Sequence, residues 1–168
     1  NERAATPIAE TLEALGELVG EGKIRYVGLS NEHPWGVMAF VRLAGECRGP
    51  GESREFCESG DFDLPRVASI QNAYHLMNRV YESGLAEVCH REQVSLLAYS
   101  PLGFGTLSGK YHDDPQAKGR MTLFPGFGQR YSKANVAPAV AAYADLARQH
   151  GLTPAQLALA WCYRRWCV

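Results

Sequence analysis

This chain lacks most of the features that assign a sequence to a class at a glance. It has no excess of one charge: 17 Lys and Arg stand against 18 Asp and Glu, for a net charge of −1. That removes the basic footprint on which nucleic-acid binding rests. No apolar run approaches the roughly 18 residues of a membrane span, and the opening NERAATPIAE has no basic-then-apolar signal pattern. The expectation is a cytoplasmic protein with no nucleic acid and no membrane among its partners. Cysteine is sparse and odd in number, and Cys47, Cys57, Cys89, Cys162 and Cys167 contain no C-x-x-C pair. Reduced thiols are expected, and Cys47 with Cys57, having no histidine nearby, make a poor zinc pair. The chain also has neither the G-x-G-x-x-G dinucleotide fingerprint nor a phosphate loop closed by G-K-[ST].

What remains is an ordinary composition, 46% hydrophobic and 21% charged over 168 residues. It fits one globular domain or a piece of a larger one. Thr6-Pro7 reads as an N-cap with proline at the first helical position, followed by Ile8, Leu12, Leu15, Leu18 and Val19 at helical spacing. A strand is expected over residues 24–29, then a helix opened by Pro34 that runs out near Gly45. Residues 47–64 are polar and glycine-rich with no apolar period, and read as a surface insertion. Further strands are expected at residues 67–70 and 95–99, with a helix at 84–92 between them. After a long polar tract come helices over residues 138–150 and from Pro154, the latter capped by Thr153.

Strands alternating with helices imply a parallel sheet covered by helices. Each strand ends in polar residues: Ser30-Asn31, Gln71-Asn72 and Tyr99-Ser100. In parallel α/β architectures ligands bind at the carboxyl ends of strands. Beyond the third strand lies a glycine-rich loop carrying Gly103, Gly105, Ser108, Gly109 and Lys110. Glycines allow close backbone approach to a bulky anion, exposed N–H groups can donate to phosphate oxygens, and a lysine adds a point charge. Amides at two strand ends and an aromatic at the third suit the carboxamide and flat ring of a nicotinamide. Each residue also has a plain structural reading: Asn31 as a helix cap, Gln71 as a turn partner, Tyr99 as a core aromatic.

The segments GKIRYVGLSN, IQNAYHLMNR and LLAYSPLGFGTLSGKY resemble, in order and spacing, the aldo-keto reductases. They look most like the branch containing the potassium-channel β-subunits and related bacterial reductases. The resemblance implies an α/β fold that is part of a (β/α)₈ TIM barrel, with this chain supplying strands five to seven and their helices. It implies NADPH as cofactor and a small-molecule carbonyl substrate in the full-length parent. Carried over position by position, Ser30, Asn31 and Gln71 match the residues that hydrogen-bond the nicotinamide carboxamide, and Tyr99 matches the aromatic that stacks on the ring. Ser100, Leu102, Gly105 and Lys110 fall in the loop around the pyrophosphate, and Arg120 matches a basic residue near the adenosine end.

The departures are as informative. The family's Asp, Tyr, Lys and His acid/base set lies on the first four strands and has no counterpart here, and neither the five histidines nor Tyr74 or Tyr99 should be drafted as substitutes. The eighth strand, with the loop and helix that grip the 2′-phosphate, would lie beyond Val168. Three strands alone would leave inner faces and edges open, so the chain is expected either to be part of a longer protein or to pair with another copy. Two other readings stay open: a non-catalytic dinucleotide-binding or interaction module, and an open α/β domain without a cofactor.

Overall fold

The computed structural model describes residues 6–46, 64–114, 116–124 and 126–168. Residues 47–63, with Cys47 and Cys57, lie outside the described residues. So does the expected insertion, except for Leu64, which is buried. The element order is α1 (Ile8–Gly20), β1 (Val27–Ser30), α2 (Pro34–Glu46), β2 (Val67–Ala73), α3 (Leu85–Arg91) and β3 (Ser95–Tyr99). It continues through one-turn helices α4 (Lys110–Asp113) and α5 (Arg120–Leu123) to α6 (Val136–Gln149) and α7 (Pro154–Tyr163). Short 3₁₀ turns occupy Val80–Ser83, Gly103–Ser108 and Gln129–Tyr131. The three strands form one sheet in the order β1-β2-β3, and β1 runs parallel to β2 with Ser30 opposite Gln71. The expected mixed α/β alternation is thus present. No helix among the described residues is long and apolar enough to cross a membrane.

The chain divides into two compact units. The first comprises Asn1–Asn72, Gly84–Leu97 and Cys167. Here α1 packs on α2 and α2 on α3. Leu12, Val37, Val67, Ile70, Cys89 and Leu96 form the buried core. Helix α1 begins one residue later than the sequence suggests. Pro7, with ψ at 144°, is extended and takes the N-cap position, and its carbonyl accepts from both the amide and the hydroxyl of Thr11. Strand β1 likewise starts at Val27 and not at Ile24, because its partner β2 begins only at Val67, the residue opposite Val27. Leu96 is buried whereas Leu97 is 53% exposed. Alternate residues of β3 therefore face solvent among the described residues, although the strand reads as apolar throughout.

The second unit comprises Ala73–Ser83, Ala98–Trp166 and Val168. Helices α6 and α7 pack on each other, and both pack on the Gly103–Ser108 turn. Val140, Ala144, Ala147 and Ala158 are small enough to bring them close, and all four are buried. Thr153 caps α7 as expected. Its hydroxyl accepts from Gln156 N–H, and the Gln156 side chain closes the reciprocal half of the capping box. The same unit holds a compact polar network. The Tyr74 hydroxyl donates to the Glu82 carboxylate, Arg79 and Arg165 donate to that carboxylate at 2.6 and 3.0 Å, and Arg165 Nε donates to the Tyr74 oxygen at 3.2 Å. Both guanidinium groups stand over the Trp161 ring, 5.6 and 5.4 Å from its centroid. Hydrogen bonding from Arg79, helped by Tyr74 and Arg165, holds the Glu82 carboxyl down at about 2 against partial burial.

Candidate functional site

Within the first unit, the sequence-predicted residues Ser30, Asn31 and Gln71 come together at the carboxyl ends of β1 and β2. Ser30 and Gln71 are opposite each other in the parallel register. The Asn31 N–H donates to the Gln71 carbonyl and to Asn72 Oδ1, each at 3.0 Å, so the chain leaving β1 is tied to the end of β2. Asn31 has φ at 54°. Asparagine tolerates this left-handed conformation better than most residues. Its Nδ2 donates to Ser30 Oγ at 3.3 Å. The Gln71 side chain is exposed and makes no hydrogen bond among the described residues, which leaves both its donor and its acceptor available.

Within the second unit, Ser100, Leu102, Gly105, Lys110 and Arg120 line one cleft of about 370 Å³ together with Phe104. The local sequence explains its shape. Ser100, Gly103, Phe104, Gly105 and Gly109 all have positive φ, between 53° and 91°. The backbone therefore coils tightly on itself after β3. Gly103 N–H donates to the Ser100 carbonyl at 2.7 Å, Gly105 and Leu107 N–H donate to Leu102 at 3.0 Å, and Gly109 N–H donates to Thr106 at 3.2 Å. The expectation that exposed loop amides wait for phosphate oxygens thus needs refining. The amides of these three glycines are already used inside the loop, and the glycines serve to shape it. Thr106, in the same turn, is 9% exposed, and its hydroxyl has no hydrogen-bond partner among the described residues.

Two cations face this cleft. Lys110 and Arg120 are both exposed, and among the described residues neither forms an ion pair. Aromatic residues hold them in place. Lys110 Nζ lies 4.8 Å from the Tyr111 ring centroid, and the Arg120 guanidinium lies 5.5 Å from that of Phe104. The Tyr111 hydroxyl donates to the Phe104 carbonyl at 3.4 Å and accepts from Met121 N–H at 3.3 Å, bridging the glycine turn to α5. A Cβ at Gly119 would collide with Lys110 Nζ and the Tyr111 oxygen, so glycine there makes room for the ammonium. Positive charge without a carboxylate partner, set over a tightly coiled glycine turn, fits a phosphate-bearing ligand. An open cavity of about 640 Å³ continues along Arg120, Phe124, Gly126 and Phe127.

Tyr99, the last residue of β3, is half-buried. Its phenol adds to the effect of burial in raising the Tyr131 hydroxyl above its ordinary range, against Arg130. Phe104 and Tyr111 had no assigned role in the sequence reading, because an aromatic beside a glycine loop reads equally well as core. Among the described residues no cluster of three His, Cys, Asp or Glu is placed to hold a metal ion.

The profile of the Aldo/keto reductase family matches residues 3–166. "Protein tas" of Escherichia coli K12 is 49% identical over 162 residues, covering 96% of this chain and 42% of that protein. An aldo-keto reductase of Babesia bovis is 35% identical over 167 residues, covering 96% of this chain and 53% of that protein. A protein of Escherichia coli K12 named NADH-specific methylglyoxal reductase is 29% identical over 160 residues, covering 95% and 42%. The chain therefore spans about half, or less, of the length of these relatives.

Proposed function

The chain belongs to the aldo/keto reductase family, and from that premise we propose that it carries the NADPH-binding portion of a carbonyl reductase, corresponding to strands five to seven of a (β/α)₈ barrel. The observation that carries this reading is the pair of cations without carboxylate partners, Lys110 and Arg120, in one cleft with Ser100, Leu102 and Gly105. Lys110 neutralises the pyrophosphate while the glycine turn wraps it. Arg120, held over Phe104, faces the adenosine end and favours the phosphorylated ribose of NADPH over that of NADH. Ser30, Asn31 and Gln71 hold the carboxamide and thereby select the face of the ring that meets the substrate. Tyr99 stacks on that ring.

When bound, the nicotinamide supplies a hydride to a substrate carbonyl. The residues of this chain bind and orient it. None of them is assigned the proton donation that completes the reduction, so carbonyl reduction by this chain alone is expected to be negligible. The relative named NADH-specific makes cofactor choice the sharpest point to test.

The test is a fluorescence titration of the chain with NADPH and NADH, repeated on Lys110→Ala and Arg120→Ala. Saturable binding that favours NADPH is expected, with about fivefold to tenfold weaker NADPH binding in each variant as a charge-assisted contact is lost. Absence of binding to either nucleotide contradicts the reading. Binding that is indifferent to both the 2′-phosphate and the two substitutions removes the cleft from the site.

A further inference from the structure

His75 is fully buried, at 0% exposure, and the proposed function leaves it without a role. It sits just beyond β2, where its backbone exchanges two hydrogen bonds with Asn78 around a tight turn. The ring is oriented by its neighbours. Met77 N–H donates to Nδ1 at 3.3 Å, so Nδ1 is the unprotonated nitrogen and Nε2 carries the proton. Nε2 then donates to the Tyr131 hydroxyl at 3.0 Å. Tyr131 is itself 8% exposed, and its ring meets Phe104 edge-to-face with centroids 5.3 Å apart.

Gly103 lies directly on this pair. A Cβ there would stand 3.1 Å from Met77 Cε, 3.5 Å from Tyr131 Cε1 and 3.7 Å from His75 Cε1, and the residue has φ at 53°. Phe104 and Gly105 follow with φ at 58° and 91°. Three consecutive left-handed residues, one of them a phenylalanine, are a strained arrangement that persists only when the surroundings over-determine it. His75, Met77 and Tyr131 supply those surroundings. A Cβ on Gly103 would come within 4 Å of all three, and the Tyr131 ring also meets the Phe104 ring edge-to-face.

We propose that His75 and Tyr131 are a positioning pair for the glycine turn: their hydrogen bond locks the Tyr131 ring, and that ring sets residues 103–105 in the left-handed coil that shapes the phosphate cleft. The inference rests on the cofactor reading for its functional consequence, and on the geometry alone for its structural one. Burial, with the nearby Arg130 charge, pushes the His75 pKa down to about 4, so the pair keeps its neutral hydrogen-bonded form across the physiological range.

Two readouts on the full chain test it. Amide hydrogen exchange at Gly103, Gly105 and Leu107 reports the turn directly and needs no cofactor, and NADPH titration reports the cleft. Tyr131→Phe, which keeps the ring and removes the hydroxyl, is expected to speed exchange at those three amides and to weaken NADPH binding about fivefold, the scale of one lost buried hydrogen bond. His75→Leu is expected to do the same, with little added effect in the double variant. His75→Gln, whose side-chain amide reaches the same hydroxyl as a donor, is expected to restore both readouts. The Leu152 amide, bonded to Ala147 in the same unit, serves as the control for folding of that unit. Wild-type exchange at the three turn amides in Tyr131→Phe overturns the proposal, as does acceleration equal to that at Leu152. If the unaltered chain fails to bind NADPH, it is the cofactor reading that falls, and the exchange measurement still decides the role of the pair.

Discussion

Acidification should cost this protein stability over a window set by one residue. His75 is fully buried, and burial together with the Arg130 charge lowers its pKa from 6.5 to about 4. Above pH 6.5 the ring is neutral in both folded and unfolded chains and contributes no pH dependence. As the pH falls below 6.5, the unfolded chain takes up a proton that the folded chain refuses, so stability declines. The His75 contribution levels off below about pH 4, where the folded form is protonated as well. The span from 6.5 to about 4, at about 1.4 kcal/mol per pH unit, amounts to about 3.5 kcal/mol at most. Against a typical domain stability of about 5–15 kcal/mol, that is a large share. Urea denaturation between pH 7 and pH 4 measures it, with His75→Gln as the comparison. The wild type is expected to lose stability steadily through the window, and the variant is expected to be flatter by most of that amount. Equal pH dependence in the two proteins would refute the burial argument.

Other consequences concern separate parts of the chain. The Glu82 carboxyl, held down to about 2 chiefly by Arg79, contributes stability that is complete above its ordinary value of 4.5 and is lost as the pH falls through the folded value. Glu82→Gln should therefore remove that part of the pH dependence below 4.5 and destabilise the protein by about 1–2 kcal/mol at pH 7, as read by urea denaturation. Gly105→Ala combines a φ of 91° with a Cβ 3.2 Å from Lys110 Cε, and should cost about 1–3 kcal/mol of stability and displace the ammonium, weakening NADPH binding in titration. Thr153→Ala removes the α7 capping box and should lower stability by about 1 kcal/mol in thermal denaturation without altering nucleotide binding.

The elements that sequence patterning locates best are those whose signals are local. Thr153-Pro154 marks the start of α7 because the cap and its partner Gln156 lie within one turn. The 95–99 strand was legible with its bounds unchanged, since a short apolar run ends abruptly at Ser100-Pro101. Boundaries that depend on a distant partner were misplaced. Residues 24–26 have strand composition but no strand partner among the described residues, because β2 begins at Val67. The tract after Tyr111 reads only as long and polar, yet Arg120–Leu123 form α5 and Gln129–Tyr131 a short 3₁₀ turn. Those elements are stabilised by Tyr111, Phe104 and Tyr131 reaching across the fold, which leaves no period in the sequence.

The candidate site divides along the same line. Ser30, Asn31 and Gln71 could be chosen from their places at strand ends, and the parallel register brings them together. Lys110 and Arg120 could be chosen from charge and resemblance, and they share a cleft. What the sequence did not disclose was the support beneath them. The roles of Tyr111, Phe104 and the His75–Tyr131 pair follow only from three-dimensional contacts, since a tyrosine or histidine between strand and helix carries no mark of what it touches. The same limit applied to the loop amides, which composition made available to a phosphate and which the folded turn consumes for itself.

The most direct test of the central claim is an amide-resolved NMR titration of the chain with NADP⁺. The account predicts saturable shifts at Ser30, Asn31 and Gln71 and at Tyr99, Ser100, Leu102, Gly105, Lys110 and Arg120, with amides remote from these little changed. Shifts confined to other residues, or none at saturating nucleotide, would contradict it.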